Sequence, residues 1–359
     1  MKILILNITI NWVYRLYEEY ILSIINLINL FYKDIIIENI YIDVNNENIN
    51  NELNNILLKI NNYDKIFLSG DIAIANNFFK KYHENNEYIE NKQYTENNEY
   101  ARNMELAKDS NISIPINEGI VITSKYIKNI YNYGLLKKNN NIKDTKTNIK
   151  TNIDFYFINI EQMSNESYYK NIRILDNKIN IIDYSEENIP FFSNIYNKIY
   201  LISPYFKYKS HINNSYKTID IISFVNNEYR KQNINNLNLS DKYKIVLLDN
   251  CYGERRNIYF EKSKIYINFH CSDNHNTMEL IRIVNLIMNK VIVITQKSIL
   301  SDLLYLKDYI IECNDITNFN TYIVEILDNY ETYFHKFFDN FNESKYLEYI
   351  KTDIDKLFL

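Results

Sequence analysis

The sequence has 359 residues, 46% of them hydrophobic and 24% charged, with a formal net charge of -5. That length allows two domains with substantial cores. The apolar content excludes a disordered chain, and the acidic balance excludes a broad nucleic-acid surface. Asn, Ile, Lys and Tyr dominate beside only 4 Gly and 3 Pro. This is the bias of an A+T-rich genome, so the 34 Tyr read as core and surface filler, not as stacking platforms. Cys251, Cys271 and Cys313 lack any CxxC spacing and read as reduced thiols of a cytosol-like compartment. Met1–Ile10 has no small-residue cleavage site after it and reads as a first strand. Ile21–Tyr32 is interrupted by Ser23, Asn26 and Asn29 and is too short to span a bilayer. The expectation is a soluble, cytoplasmic protein with no transmembrane segment.

Taken in order, Lys2–Asn7 predicts a strand, Tyr14–Leu30 a helix, Asp34–Asp43 a strand, Asn50–Ile60 a helix and Lys65–Ser69 a third strand. Glu84–Tyr100 and Lys137–Asn152 are polar, Asn-rich tracts that read as loops or disordered insertions. Ile120–Thr123 reads as a strand with a short helix through Tyr133. Asp154–Ile160, Asn180–Ile182 and Lys198–Ile202 are further strands. A new βα pattern begins after Pro204, with strands at Asp220–Val225 and Lys244–Leu248 around a helix at Tyr229–Leu237.

The stretch SKIYINFHCSDNHNTMELIRIVNLIMNKVIVITQKS, Ser263–Ser298, organises the second half. Ile265–Phe269 predicts a strand, His270–Asn276 a polar loop and Val291–Thr295 a buried strand. Between them, apolar residues at 280, 283, 284, 287 and 288 trace one helical stripe. Asp308–Glu312 reads as the last strand, with helical material at Phe319–Phe341 and Tyr346–Phe358. Alternation of this kind points to α/β architecture with parallel sheets, whose ligands bind at strand carboxyl ends. Glu279 stands at such an end, on the polar side of its helix. Its carboxylate suits the two hydroxyls of a ribose, or else complements the helix dipole and pairs with Arg282.

DNCYGERRNIYFEKSKIYINFH, MELIRI and NKVIVITQKS together resemble the C-terminal half of GT-B glycosyltransferases, of the family 1 and family 4 type. FYFINIEQMS and NIIDYSEENI look like the N-terminal half of a branch found in bacteria and large DNA viruses. The resemblance covers roughly residues 154–312. It implies two Rossmann-like domains, 1–204 for an acceptor and 205–340 for a nucleotide-sugar, with 341–359 as a helix packing back on the first. By the same resemblance Glu279 holds the ribose, while His270, Ser272, Asn274 and Thr277 meet the diphosphate and donor sugar. Arg230, in the Asn226–Arg230 turn, contacts phosphate, and Asn250–Arg256, including Arg255, borders the base. The turn lacks the family's usual glycine, and Gln296 stands where an acidic residue is common.

Arg255-Arg256 can offset a diphosphate or form a solvated basic face beside Glu254 and Glu261. Glu161 and Asp71 are rival general bases for an acceptor hydroxyl, and each is also placed to cap a turn. Asp183 reads as a turn residue bonding local backbone. No DxD pair of the sort that holds a metal diphosphate, Walker lysine motif or GxGxxG occurs, so the expected enzyme is a metal-independent glycosyltransferase that needs no cofactor beyond its nucleotide-sugar co-substrate. The acceptor, a glycan, lipid or protein, stays open. A non-catalytic GT-B-shaped scaffold and a sugar-nucleotide epimerase are the alternatives.

Overall fold

The computed structural model describes residues 1–9, 11–46, 48–70, 72–95, 153–161, 169–170, 172–193, 195–196, 198–270, 272, 278–298 and 305–358. Met1–Tyr82 and Asn152–Leu359 form one unit and His83–Thr151 a second. The first unit holds two parallel sheets. Strands β1 (Lys2–Thr9), β2 (Ile36–Asp43), β3 (Lys65–Gly70), β4 (Asp154–Ile158), β5 (Asn180–Asp183) and β6 (Ile199–Leu201) lie in the order β2-β1-β3-β4-β5-β6. Strands β7 (Ile219–Phe224), β8 (Ile245–Leu248), β9 (Ser263–Asn268), β10 (Ile292–Gln296) and β11 (Ile310–Cys313) lie in the order β11-β10-β9-β7-β8. Every pairing is parallel. The chain is thus an α/β protein with two Rossmann-like sheets.

The helices are α1 (Asn11–Phe31), α2 (Ile49–Lys59), α3 (Ile72–Thr95), α4 (Glu228–Asn235), α5 (Gly253–Lys262), α6 (Leu280–Met288), α7 (Ile316–Asp328), α8 (Tyr330–Phe338) and α9 (Glu343–Asp355), beside a short helical turn at Ile189–Phe192. Strand interiors such as Ile3–Leu6 and Val291–Ile294 are fully buried, as expected of parallel strands covered on both faces. Helix α6 buries Leu280, Ile283, Val284, Ile287 and Met288, the stripe read from the sequence. Gly70 ends β3 at φ +93°, and a Cβ there would lie 2.1 Å from Ile8 O. Only glycine lets β1 and β3 run so close at that point.

One expectation needs correction. Residues 84–95 belong to α3 and are not a loop. Ile74, Ala75, Phe78, Phe79 and Tyr82 bury one face of that helix, which then continues into polar sequence. The helical material read at Phe319–Phe341 is present as two helices that break at Asn329, which stands at φ -123° and ψ 32°. The strand at Ile120–Thr123, the helix after it and the tract Lys137–Asn152 lie outside the described residues.

The two sheets are tied through α1 and the chain between β6 and β7. Tyr20 donates its hydroxyl to Ile202 O at 2.6 Å, Tyr205 N–H donates to Ser23 Oγ at 2.6 Å, and Tyr346 of α9 donates to Pro204 O at 2.6 Å. Tyr32, just after α1, bonds Asp355 of α9 and packs its ring 4.5 Å from Phe358.

Candidate functional site at the carboxyl ends of the sheets

Both sheets have the doubly wound order in which the chain reverses direction between their first and third strands. Ligands of such sheets bind outside the carboxyl ends at that reversal. In the second sheet the reversal lies between β7 and β9, where the turn 225–230 meets Phe269 and Glu279. Asn227 caps α4, its Oδ1 accepting the Arg230 N–H at 2.9 Å, so the turn without glycine still closes cleanly. This places Arg230 in the first turn of α4 with its side chain buried. Arg230 Nε donates to Phe269 O at 2.8 Å and Nη2 bonds Glu279 Oε1.

Glu279 stands immediately before α6, its side chain 20% exposed. Its second oxygen lies 3.1 Å from Arg282 Nη1. Arg282 also donates to Tyr266 at 3.1 Å and lies over the Phe224 ring at 4.5 Å. Burial alone would raise the Glu279 carboxyl. The guanidiniums of Arg282 and Arg230 overturn that and hold it well below the usual carboxylate range. Reciprocally, Glu279 overcomes the burial of Arg282 and fixes it in the charged form. The expected Glu279–Arg282 pairing is therefore present, with Arg230 as an added partner from another helix.

His270 is 5% exposed. Its N–H donates to Gln296 Oε1 at 2.7 Å, and ring Nε2 lies 3.1 Å from Ser298 Oγ and 3.3 Å from Lys297 O. Gln296 thus braces the His270 backbone from the end of β10, a task that needs an acceptor oxygen and no charge. Asn274 and Thr277 lie outside the described residues, as does Asp71. Ser272 is half-buried, Asn250 is exposed at φ 47°, and Arg255 is exposed. Arg256 is buried against Glu19 of α1.

At the first sheet the reversal lies between β1 and β3. Asn7 and Ser69 are register partners there, both buried, and neither side chain makes a hydrogen bond. Glu161 lies one strand away, after β4, half-buried. Its backbone is held by Asn159 Nδ2 and Asn188 Nδ2, which donate to its carbonyl at 2.8 and 3.0 Å. The same two amides bond the carboxylate of Asp183, at 2.7 Å and 3.1 Å, and Ser185 N–H adds a bond at 2.8 Å. Asp183 is wholly buried. Burial raises its carboxyl, and these donors offset part of the rise, leaving it pushed up to about 7. Asp183 does bond local backbone as read from the sequence, but its larger role is to tie two loops together through their asparagines. Sequence reasoning missed Asn7, Ser69 and Glu19. The register of parallel strands was the signal for the first two, and nothing local marked the third.

Among the described residues no cluster of His, Cys, Asp or Glu is placed to hold a metal ion, and no helix is long and apolar enough to cross a membrane. Cys251 and Cys313 are buried free thiols; Cys271 lies outside the described residues.

No protein-family model matches the chain. Over 216 residues it is 29% identical to an uncharacterized protein of Acanthamoeba polyphaga mimivirus, covering 58% of this chain and 75% of that one. Among solved structures it is similar to a UDP-GlcNAc 2-epimerase from Methanocaldococcus jannaschii, with a TM-score of 0.41 and 11% identity, over 91% of this chain and 92% of that one.

Proposed function

We propose that the chain is a GT-B glycosyltransferase that moves a sugar from a nucleotide-sugar to an acceptor hydroxyl or amide. Residues 205–340 would form the donor domain and 1–204 the acceptor domain, with 341–359 returning to the latter. The observation that carries this reading is Glu279. It is an ionised carboxylate fixed at the reversal of a parallel sheet, one oxygen held by Arg230 and the other 3.1 Å from Arg282, with the side chain 20% exposed. A carboxylate can accept from the two adjacent hydroxyls of a ribose. Two guanidiniums, Arg230 and Arg282, face the single carboxylate of Glu279, so one positive charge is in excess. That excess suits a diphosphate without recruiting a metal ion.

In this reading His270, Arg230, Asn274 and Thr277 border the diphosphate and donor sugar, and Asn250 and Arg255 border the base. Glu161 or Asp71 takes the proton from the acceptor. Closure over the bound pair keeps water from intercepting the sugar. The test is calorimetry with a panel of nucleotide-sugars on wild type and Glu279→Ala. Wild type should bind at least one donor and release its nucleotide slowly without acceptor, and Glu279→Ala should weaken binding at least about tenfold, the loss of one good polar contact. Unchanged binding removes the donor-site assignment.

A non-catalytic shell is the second reading. It is favoured by the engagement of both Arg230 and Arg282 with Glu279, and of His270 Nε2 with the end of β10. No binding of any nucleotide-sugar by the folded protein would favour it.

A further inference from the structure

Lys217, in the chain between β6 and β7, takes no part in the reading above. It is 4% exposed, and its Nζ donates to Asn289 O at 2.7 Å and to Phe260 O at 3.3 Å. Phe260 is in the last turn of α5, and Asn289 directly follows α6. One side chain thus meets the carboxyl ends of two helices, where free carbonyls receive a donor. Its neighbours fasten the same segment to the same helix ends. Lys209 N–H donates to Met288 O at 2.9 Å, Lys290 Nζ donates to Ser210 O at 3.3 Å, and Lys209 Nζ lies 3.6 Å from Glu261.

Two carbonyls are not a counter-charge, and among the described residues no carboxylate pairs with Lys217. Lys290, beyond α6, repels it, while Glu261 of α5 attracts it but is shared with Lys209. The other charged groups at this end of the sheet are engaged elsewhere or face water. Asp220 of β7 is held by Lys264 of β9 at 2.6 Å, and Glu331 of α8 by Asn214 at 3.1 Å. Lys244, Lys262, His211 and Tyr216 are exposed. An ammonium buried without a carboxylate is costly. Burial first, and then the like charge of Lys290, therefore push Lys217 from 10.5 down to about 7.

We propose that Lys217 is a proton-operated catch, which seats the segment 205–218 on the ends of α5 and α6 as a neutral amine and lets it go when it must be buried charged. Released into water, the amine keeps its ordinary 10.5; seated, it holds a proton only below about 7. The released form thus binds more protons between those values. Seating is therefore favoured as pH rises from about 7 to about 10.5, by about tenfold per pH unit at most, and is weakest in acid. The catch lies at the opposite end of α6 from Glu279, so it governs how firmly the helix behind the charged mouth is held. It involves no ligand and stands or falls apart from the transferase reading.

The experiment is a carbon-13 NMR pH titration of the full chain, labelled at the lysine Cε and methionine methyl positions. One lysine should titrate near 7, and its signal should be absent from Lys217→Leu. The Met288 methyl, identified by its loss in Met288→Leu, should shift with the same midpoint, because the segment clipped to Met288 O moves with the catch. Lys290→Gln removes the repelling charge and should raise both midpoints, whereas Glu261→Gln should lower them. In urea unfolding, wild type should gain stability over Lys217→Leu as pH rises from about 7 to about 10. A Lys217 midpoint above about 9.5, a Met288 signal that ignores it, or a flat or falling stability difference overturns the proposal. Should Lys217→Leu not fold, the two charge variants decide, and midpoints that stay put or move the other way overturn it.

Discussion

Two carboxylates stand at the carboxyl ends of the two parallel sheets, both largely walled off from water, and their surroundings push them in opposite directions. Asp183, the last residue of β5, is held by neutral donors: two asparagine amides and a backbone N–H. Glu279, before α6, is held by two guanidiniums. Neutral donors soften the cost of burying a charge but do not cancel it, so the Asp183 carboxyl rises to about 7. Full opposite charges more than cancel it, so the Glu279 carboxyl falls. The same strand order thus yields one mouth that is nearly neutral and one that is permanently charged. A charged mouth suits an anionic donor, and a neutral one suits a hydroxyl acceptor.

The harshest way to break the contrast is to remove one cation from the charged mouth. Arg230→Ala leaves Glu279 with Arg282 alone and strips Phe269 O of its donor. Truncating one partner of a buried ion pair typically costs about 3–5 kcal/mol. Arg230→Ala should lower the unfolding free energy by about that amount in a denaturant titration. A loss under about 1 kcal/mol would mean that the bracket is effectively solvated.

At the neutral mouth the expected signature is a pH slope. Asp183 has an ordinary value of 3.8 when unfolded and about 7 when folded. Between those values the folded chain keeps a proton that the unfolded chain has lost. The contribution of Asp183 is therefore complete below about 4 and is lost as pH rises toward about 7, with no further change above. The span corresponds to roughly 4 kcal/mol at most. In Asp183→Asn that slope should vanish, so the stability difference between the two proteins, measured by urea unfolding, should shrink or reverse as pH rises through the window. A pH-independent difference would show that Asp183 remains ionised throughout.

These environments were unevenly legible in the sequence. The β-α alternation and the stripe at 280, 283, 284, 287 and 288 were readable because each depends on neighbours within a few residues. The first half of α3 carried the same kind of stripe at 74, 75, 78, 79 and 82, but the Asn-rich continuation masked it. Sequence with so few apolar residues offers no helical stripe to detect. Glu279 stood out by its place beside a polar loop, and Arg282 by its spacing. Arg230 as the second partner, 49 residues away, became visible only once β7 and β9 were neighbours. Asp183 was recognised as a turn residue from Ser185, whereas its amide partner Asn159 stands on the adjacent strand's loop. Glu19 and Arg256 are 237 residues apart, and no local pattern links them.

The gentlest test asks whether neutral contacts matter at all in the charged mouth. Ser298 is 5% exposed, and its hydroxyl lies 3.1 Å from His270 Nε2 and 3.4 Å from Gln296 O. Ser298→Ala removes that hydroxyl and leaves Nε2 facing Lys297 O, which favours the tautomer carrying its proton on Nε2. One buried neutral hydrogen bond contributes about 1 kcal/mol, a fraction of what Arg230 supplies. The variant should therefore lose about 1 kcal/mol in denaturant unfolding while nucleotide-sugar affinity changes by less than about threefold. If affinity falls tenfold or more, His270 must be poised by its hydroxyl neighbour to meet the ligand. The mouth would then owe its selectivity to an oriented imidazole as much as to its charges, and the contrast between the two sheets would be one of degree.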